Sequence, residues 1–238
     1  MLTRRLEPEV MDTAEDARDY DTMDHSTVNR VFVDDLLTFR SRTRESSDRR
    51  LTTSATEEIA FPFLNVLDVG TGTALIPIEL CCREVACRVT AIDLAAEMLK
   101  LADLNITRAD LASRIQAERI DAKHMPYAVG AFDAVISNSI VHHIPKPRAV
   151  FTEMLRVLRP SGVLFVRDLL RPQSLAEVDH LVATYAGREN AHSQQLFRES
   201  LHAALSLAEV RELTAACGIS ASAVQQSSDR HWTLAWRK

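Results

Sequence analysis

The stretch Asn65-Val66-Leu67-Asp68-Val69-Gly70-Thr71-Gly72-Thr73-Ala74 decides the fold. A short apolar run closes on an acid, two glycines follow one residue apart, and a helical pattern begins behind them. The reading is a buried strand leaving a sheet, a tight turn, and a helix start. Glycine suits the turn because a Cβ would block either the bend or a ligand's approach to the backbone. A dinucleotide site wants G-x-G-x-x-G/A, and aligned from Gly70 the third position is Leu75, a poor fit. A phosphate-binding loop is excluded because no Gly-Lys-Ser/Thr follows. The spacing that does fit is an acid two residues before the first glycine, with small residues at every second position: Asp68, Gly70, Gly72, Ala74.

Outward from this turn the chain alternates. Strand-like runs fall at Asn65–Val69, Arg88–Asp93, Ile115–Ile120, Phe132–Asn138 and Gly162–Asp168. Helical patterns lie between them at Ala74–Arg83, Ala95–Leu104, a short one near Ala109–Ser113, and Pro147–Leu158. Strand followed by helix, repeated, implies parallel strands joined by right-handed crossovers. The near-continuous apolar strands imply burial on both faces. Two helices follow, about Ser174–Tyr185 and Leu207–Ala216, and Ile219–Gln225 with His231–Trp236 reads as a closing antiparallel pair. The expected fold is α/β, a doubly wound, mostly parallel sheet of about seven strands with the last antiparallel. An N-terminal helical cap and an inserted helical segment complete it. Residues 1–58 are expected to form the cap and a solvated linker (40–58), and residues 59–238 the ligand-binding domain.

The ordered motifs resemble those of class I S-adenosylmethionine (SAM) dependent methyltransferases, in particular the metabolite methyltransferase-like group. Asp68-Val69-Gly70-Thr71-Gly72 is similar to the first motif. Asp93-Leu94 ends the second strand, where an acid can accept both ribose hydroxyls. Asp121-Ala122, followed by Met125-Pro126, resembles the segment that meets the adenine amino group. Phe132–Asn138 with Val141-His142-His143-Ile144 resembles the fourth motif, and Arg156–Gly162 the turn before the fifth strand. The resemblance covers roughly residues 63 to 170. It implies SAM as cofactor and a binding set of Asp68, Gly70, Thr71, Gly72, Asp93, Leu94, Asp121, Ala122 and Asn138. Ala74 and Ser161 stand where the family commonly has glycine. Alanine is small enough for helix–strand packing, and Ser161 is expected only to shape a turn.

Methyl transfer from SAM needs the acceptor held in line with the methyl and sulfur, and a base only where the acceptor must lose a proton. His143 and Tyr20 are the candidate catalytic residues. Tyr20, Met23 and His25 lie in a segment that resembles a lid, and Glu189–Arg198 is a candidate second wall. Adjacent histidines in a helical start are expected to point apart, so His142 and His143 predict no metal site. Arg167-Asp168 reads as either an acceptor contact or a structural pair.

The chain has 238 residues and a net charge of -5, which argues against a general grip on nucleic acid. No apolar run reaches the roughly 18 residues of a membrane span. The N-terminus lacks the pattern of a secretory signal. Four cysteines without zinc or disulfide spacing read as buried thiols of a cytoplasmic protein. The expected partner is a small-molecule acceptor, and the expected state is a monomer or homodimer. Transfer to RNA or protein, and SAM binding without catalysis, are the alternatives.

Overall fold

The computed structural model describes residues 2–10, 12–48, 64–84 and 86–238. Among them, seven strands form one sheet: β1 (Leu64–Val69), β2 (Cys87–Asp93), β3 (Ile115–Arg119), β4 (Phe132–Asn138), β5 (Leu158–Leu169), β6 (Val224–Gln226) and β7 (His231–Arg237). Their spatial order is β3-β2-β1-β4-β5-β7-β6. The first five run parallel, and β7 is antiparallel to both β5 and β6. The connecting helices are α3 (Leu75–Arg83), α4 (Ala96–Arg108) and α5 (Arg148–Val157). Before the sheet come α1 (Ala14–Thr22) and α2 (Ser26–Asp48), and after β5 come α6 (Leu175–Tyr185), α7 (Ala191–Ala203) and α8 (Leu207–Ala215).

The period of two along each strand splits its apolar residues between two cores. Leu67, Val69, Ile92, Val135, Leu164 and Val166 pack on one face with Phe151 and Met154 of α5 and Val210 of α8. Val66, Val89, Ala134, Ile136 and Phe165 pack on the other with Phe32 of α2, Leu80 of α3 and Ile106 of α4. Both faces are covered, which is why the strands read as continuous apolar runs. Phe32 is fully buried and meets Phe165 edge-on, ring centroids 5.1 Å apart. A side chain of that kind contributes roughly 1.5–3 kcal/mol by leaving water. α2 thus shares the sheet's own core. α1 instead docks on α4 through Ala17, Ala95 and Met98, while α6 and α7 close over Leu169.

Four expectations change. Residues 40–48 continue α2 rather than forming a linker; residues 49–58 lie outside the described residues. No separate helix forms near Ala109–Ser113, because α4 runs on to Arg108 and the chain then turns through Asp110, at φ 56°, into β3. The strand expected at Ile219–Gln225 is mostly a buried Ile219, a 3₁₀ turn at Ala221–Ala223 and the short β6. Of the four cysteines, all free, Cys82 is exposed and Cys217 half-buried; only Cys81 and Cys87 are buried.

Candidate active site

The strand order reverses direction at β1 and β4, and there a doubly wound sheet opens a crevice beyond its carboxyl ends. The loop after β1 enters it through alternating left-handed residues: Gly70 at φ 75°, Gly72 at 55° and Ala74 at 64°. The amides of Gly70 and Thr71 both donate to the Ile92 carbonyl, at 2.8 and 2.9 Å. The Gly72 N–H donates to one carboxylate oxygen of Asp93 at 2.8 Å, and the Ala95 N–H donates to the other at 2.9 Å. Asp93 therefore pins the glycine loop to the end of β2 and starts α4, keeping lone pairs for a ligand's hydroxyls. Ala74 is buried and preserves the packing, yet its left-handed backbone shows that its cost is conformational rather than steric bulk.

A cavity over these strand ends is lined by Gly70, Gly72, Asp93, Leu94, Asp121, Ala122 and Asn138, seven of the nine expected cofactor residues. Asp68 and Thr71 line a smaller recess behind the loop, which also touches Gly70, Asn138 and Tyr20. Burial and the nearby Asp93 charge push the Asp68 carboxyl up to about 7, and burial raises Asp93 as well. Asp121 is engaged by Lys123, which also bonds Glu9, and its carboxyl is held below the ordinary range. A cofactor carrying a sulfonium and an ammonium suits this acid-rich edge. The side-chain oxygen of Asn138 is buried there without a hydrogen-bond partner, an acceptor waiting for a donor or a positive centre. The residues present fit SAM: Asp93 and Asp121 would hold its nucleoside part, and the loop, Asp68 and Asn138 its charged part.

A second cavity, about 360 Å³, adjoins the first. Tyr20, Asn138, Ser139 and His143 border both. Its remaining walls come from Met23, His25 and Val28 on one side and from Glu189, Leu196 and Phe197 of the α7 region on the other. The segments expected as lid and second wall thus face the same space. Tyr20 sits over the loop, with its ring edge 3.6 Å from where a Gly72 side chain would begin. Burial next to Asp93 and Asp68 pushes its phenol up to about 12, so it stays protonated.

The histidines do not diverge. Val141–His143 is a 3₁₀ turn, and the two rings lie 4.2 Å apart, tilted by 34°. His142 is buried and its Nδ1 lies 2.6 Å from an Asp168 carboxylate oxygen. The other Asp168 oxygen accepts the Val141 N–H. Burial lowers the His142 pKa, but Asp168 outweighs it and the net shift is upward. His143 is held down to about 3, by burial first and then by His142, with the Pro8 backbone engaging its ring. A group so weakly basic is a poor proton acceptor at neutral pH. Glu7 Oε1 lies 3.2 Å from His143 Nδ1 and 3.5 Å from His142 Nε2, and burial raises the Glu7 carboxyl. Arg4 bonds the carbonyls of His142 and Ile144 at 3.1 Å each. Neither Glu7 nor Arg4 carried a signal in the sequence, where the residues before Glu9 follow no period.

Arg167 and Asp168 neither pair with each other nor touch the acceptor cavity. Adjacent strand residues face opposite sides, so Asp168 fixes His142 while Arg167 reaches Asp35 of α2 and, at 2.9 Å, Thr233. No helix among the described residues is long and apolar enough to cross a membrane.

Residues 67–166 match the family model for the methyltransferase domain. A ubiquinone biosynthesis O-methyltransferase from Xanthomonas campestris is 33% identical over 132 residues, 55% of this chain and 53% of that protein. The chain thus spans about half the length of the curated relatives it matches. A SAM-dependent methyltransferase from Aquifex aeolicus shares the fold with a TM-score of 0.57 at 18% identity, covering 74% of this chain and 82% of its own. The [4+2]-cyclase SpnF shares it at 0.53 and 18%, covering 76% and 77%. Residues 67–166, with the glycine loop and the acids at the strand ends in the places described, thus match the methyltransferase domain and share the fold of an S-adenosylmethionine-dependent methyltransferase.

Proposed function

We propose that the protein transfers a methyl group from SAM to a small-molecule acceptor. The observation that carries this reading is the pair of adjoining cavities, one over the cofactor loop and one lined by the α1–α2 and α6–α7 segments. At about 360 Å³ the second falls within the range of small-ligand sites. Met23, Leu196 and Phe197 give that cavity an apolar lining suited to a small molecule. SAM, when bound, supplies an activated methyl on a sulfonium leaving group.

The residues' task is to position and to exclude water. Tyr20 covers the glycine loop and separates the two cavities, and its protonated phenol can orient a polar group. Asn138 presents an unpaired acceptor where they meet. His143 borders the acceptor side, and its low basicity makes it a positioning group rather than a base. The name of the O-methyltransferase relative favours a hydroxyl acceptor. The four free cysteines suit the reducing cytoplasm, and a monomer or homodimer is the state we infer, both cavities being lined by residues of a single chain.

A non-transferring role is the second reading, since a cyclase shares the fold. Incubation with methyl-labelled SAM and separate metabolite, RNA and protein fractions distinguishes the readings. Label entering metabolites alone is the expected result. Label in RNA or protein, or tight SAM binding with no transfer, would overturn it. Once an acceptor is known, Tyr20→Ala should lower turnover more than Tyr20→Phe.

A further inference from the structure

We propose that Glu7, His142 and His143 bind a divalent first-row transition-metal ion in the wall of the acceptor cavity. Glu7 Oε1, a nitrogen of His142 and a nitrogen of His143 all lie within 4.8 Å of one another. The Glu7 oxygen is 3.2 Å from His143 Nδ1 and 3.5 Å from His142 Nε2. Ligands at about 2.0–2.1 Å from a tetrahedral ion stand about 3.3 Å apart, so these separations already match a coordination edge.

The hydrogen-bond pattern points the same way. His142 Nδ1 lies 2.6 Å from an ionised Asp168 oxygen, which can only accept, so the neutral ring carries its proton on Nδ1 and offers the Nε2 lone pair toward Glu7. A carboxylate behind a ligating imidazole is the usual device for fixing tautomer and ring orientation at metal sites. Glu7 Oε1 and His143 Nδ1 are both buried with no hydrogen-bond partner. With the imidazoles neutral and the carboxylate ionised, three lone pairs converge with no donor between them, an arrangement that a cation would satisfy. Two imidazoles and one carboxylate suit Zn²⁺, Fe²⁺, Co²⁺ or Ni²⁺ better than Mg²⁺ or Ca²⁺.

Both histidines line the acceptor cavity, so the open coordination position faces the acceptor. An acceptor hydroxyl bound there would lose its proton to water at lower pH than when free. That consequence rests on the methyl-transfer reading; metal binding does not, and the test measures binding alone.

The full chain, dialysed against EDTA, is titrated with Zn²⁺ by calorimetry and with Co²⁺ by visible absorption. We expect one equivalent per chain and Co²⁺ bands of a low-symmetry nitrogen–oxygen site. Glu7→Gln keeps the shape of the side chain, and His143→Ala removes one ligand. Each should weaken affinity by at least about tenfold, the scale on which even supporting partners of a metal site act. His180→Ala, on the exposed face of α6, should leave it unchanged. Because Glu7 belongs to the N-terminal segment, Zn²⁺ should also slow tryptic cleavage at Arg4 and Arg5 in the parent protein but not in Glu7→Gln. Absence of stoichiometric binding would overturn the proposal and leave a proton shared by Glu7 and His143 as the account of the contact. Binding unchanged by Glu7→Gln, in a variant with an unaltered circular dichroism spectrum, would overturn it equally.

Discussion

Asp68→Asn should remove the pH dependence that the buried carboxyl imposes on stability. Asp68 is 2% exposed at the end of β1 and titrates at about 7, against an ordinary 3.8. The folded pKa is the higher one, so the fold takes up a proton. The contribution is fully present below about pH 3.8 and is lost as pH rises through about 7. At 1.36 kcal/mol per unit the gap corresponds to about 4 kcal/mol, an upper figure for one buried group. Asparagine does not titrate, so the stability difference, variant minus parent, should grow by up to about 4 kcal/mol between pH 4 and 8. Ligand-free urea melts at unit pH steps measure it, and other acids cancel in the difference. SAM adds a second arm. Its positive charge should favour ionised Asp68, so binding near pH 6 should release a proton. Calorimetry in two buffers of different ionisation enthalpy detects that release, and Asp68→Asn should abolish it. Parallel stability curves for the two proteins would refute the assignment of the raised pKa to Asp68.

Gly70→Ala should destabilise by about 2–4 kcal/mol, combining left-handed strain with overpacking. The new Cβ would stand 2.4–2.7 Å from three side-chain atoms of Ile140, and a thermal-melt loss below about 1 kcal/mol would contradict that contact. Ser161→Gly should stabilise by about 0.5–1 kcal/mol, since exposed Ser161 sits at φ 62° and relief of strain exceeds the added chain entropy. A destabilised variant in denaturant titration would show that the serine side chain matters there. Asp168→Ala should cost about 3–5 kcal/mol by stranding His142 and the Val141 amide, and near-parental stability would disprove the bonding pattern.

The sheet was legible because its signals are local. The spacing of Gly70 and Gly72 behind Asp68 describes one turn, and the strand at Phe132–Asn138 coincides with its predicted limits. The acids Asp93 and Asp121 were legible for the same reason, one closing β2 and the other following β3 by two residues. What escaped was long-range. Glu7 meets His142 and His143 across 135 residues, and no periodicity records such a contact. The direction of the His142 ring is set by Asp168, from another strand. Arg40–Asp48 reads as a polar stretch, yet it continues α2. Ala74 shows a subtler failure, because residue size is visible in a sequence while the sign of φ is not.

The alternation of Arg167 and Asp168 at the end of β5 ties the correctness of folding to the correctness of the site. One residue anchors α2 behind the sheet and the next orients an imidazole in front of it. A one-residue slip of β5 would exchange them, setting a guanidinium against His142 and a carboxylate against Phe32 and Asp35 of α2. His142 then loses its carboxylate partner, and the displaced carboxylate meets the like charge of Asp35. The misaligned strand is therefore rejected electrostatically, and the partners that support His142 proofread the register of the sheet that carries the site.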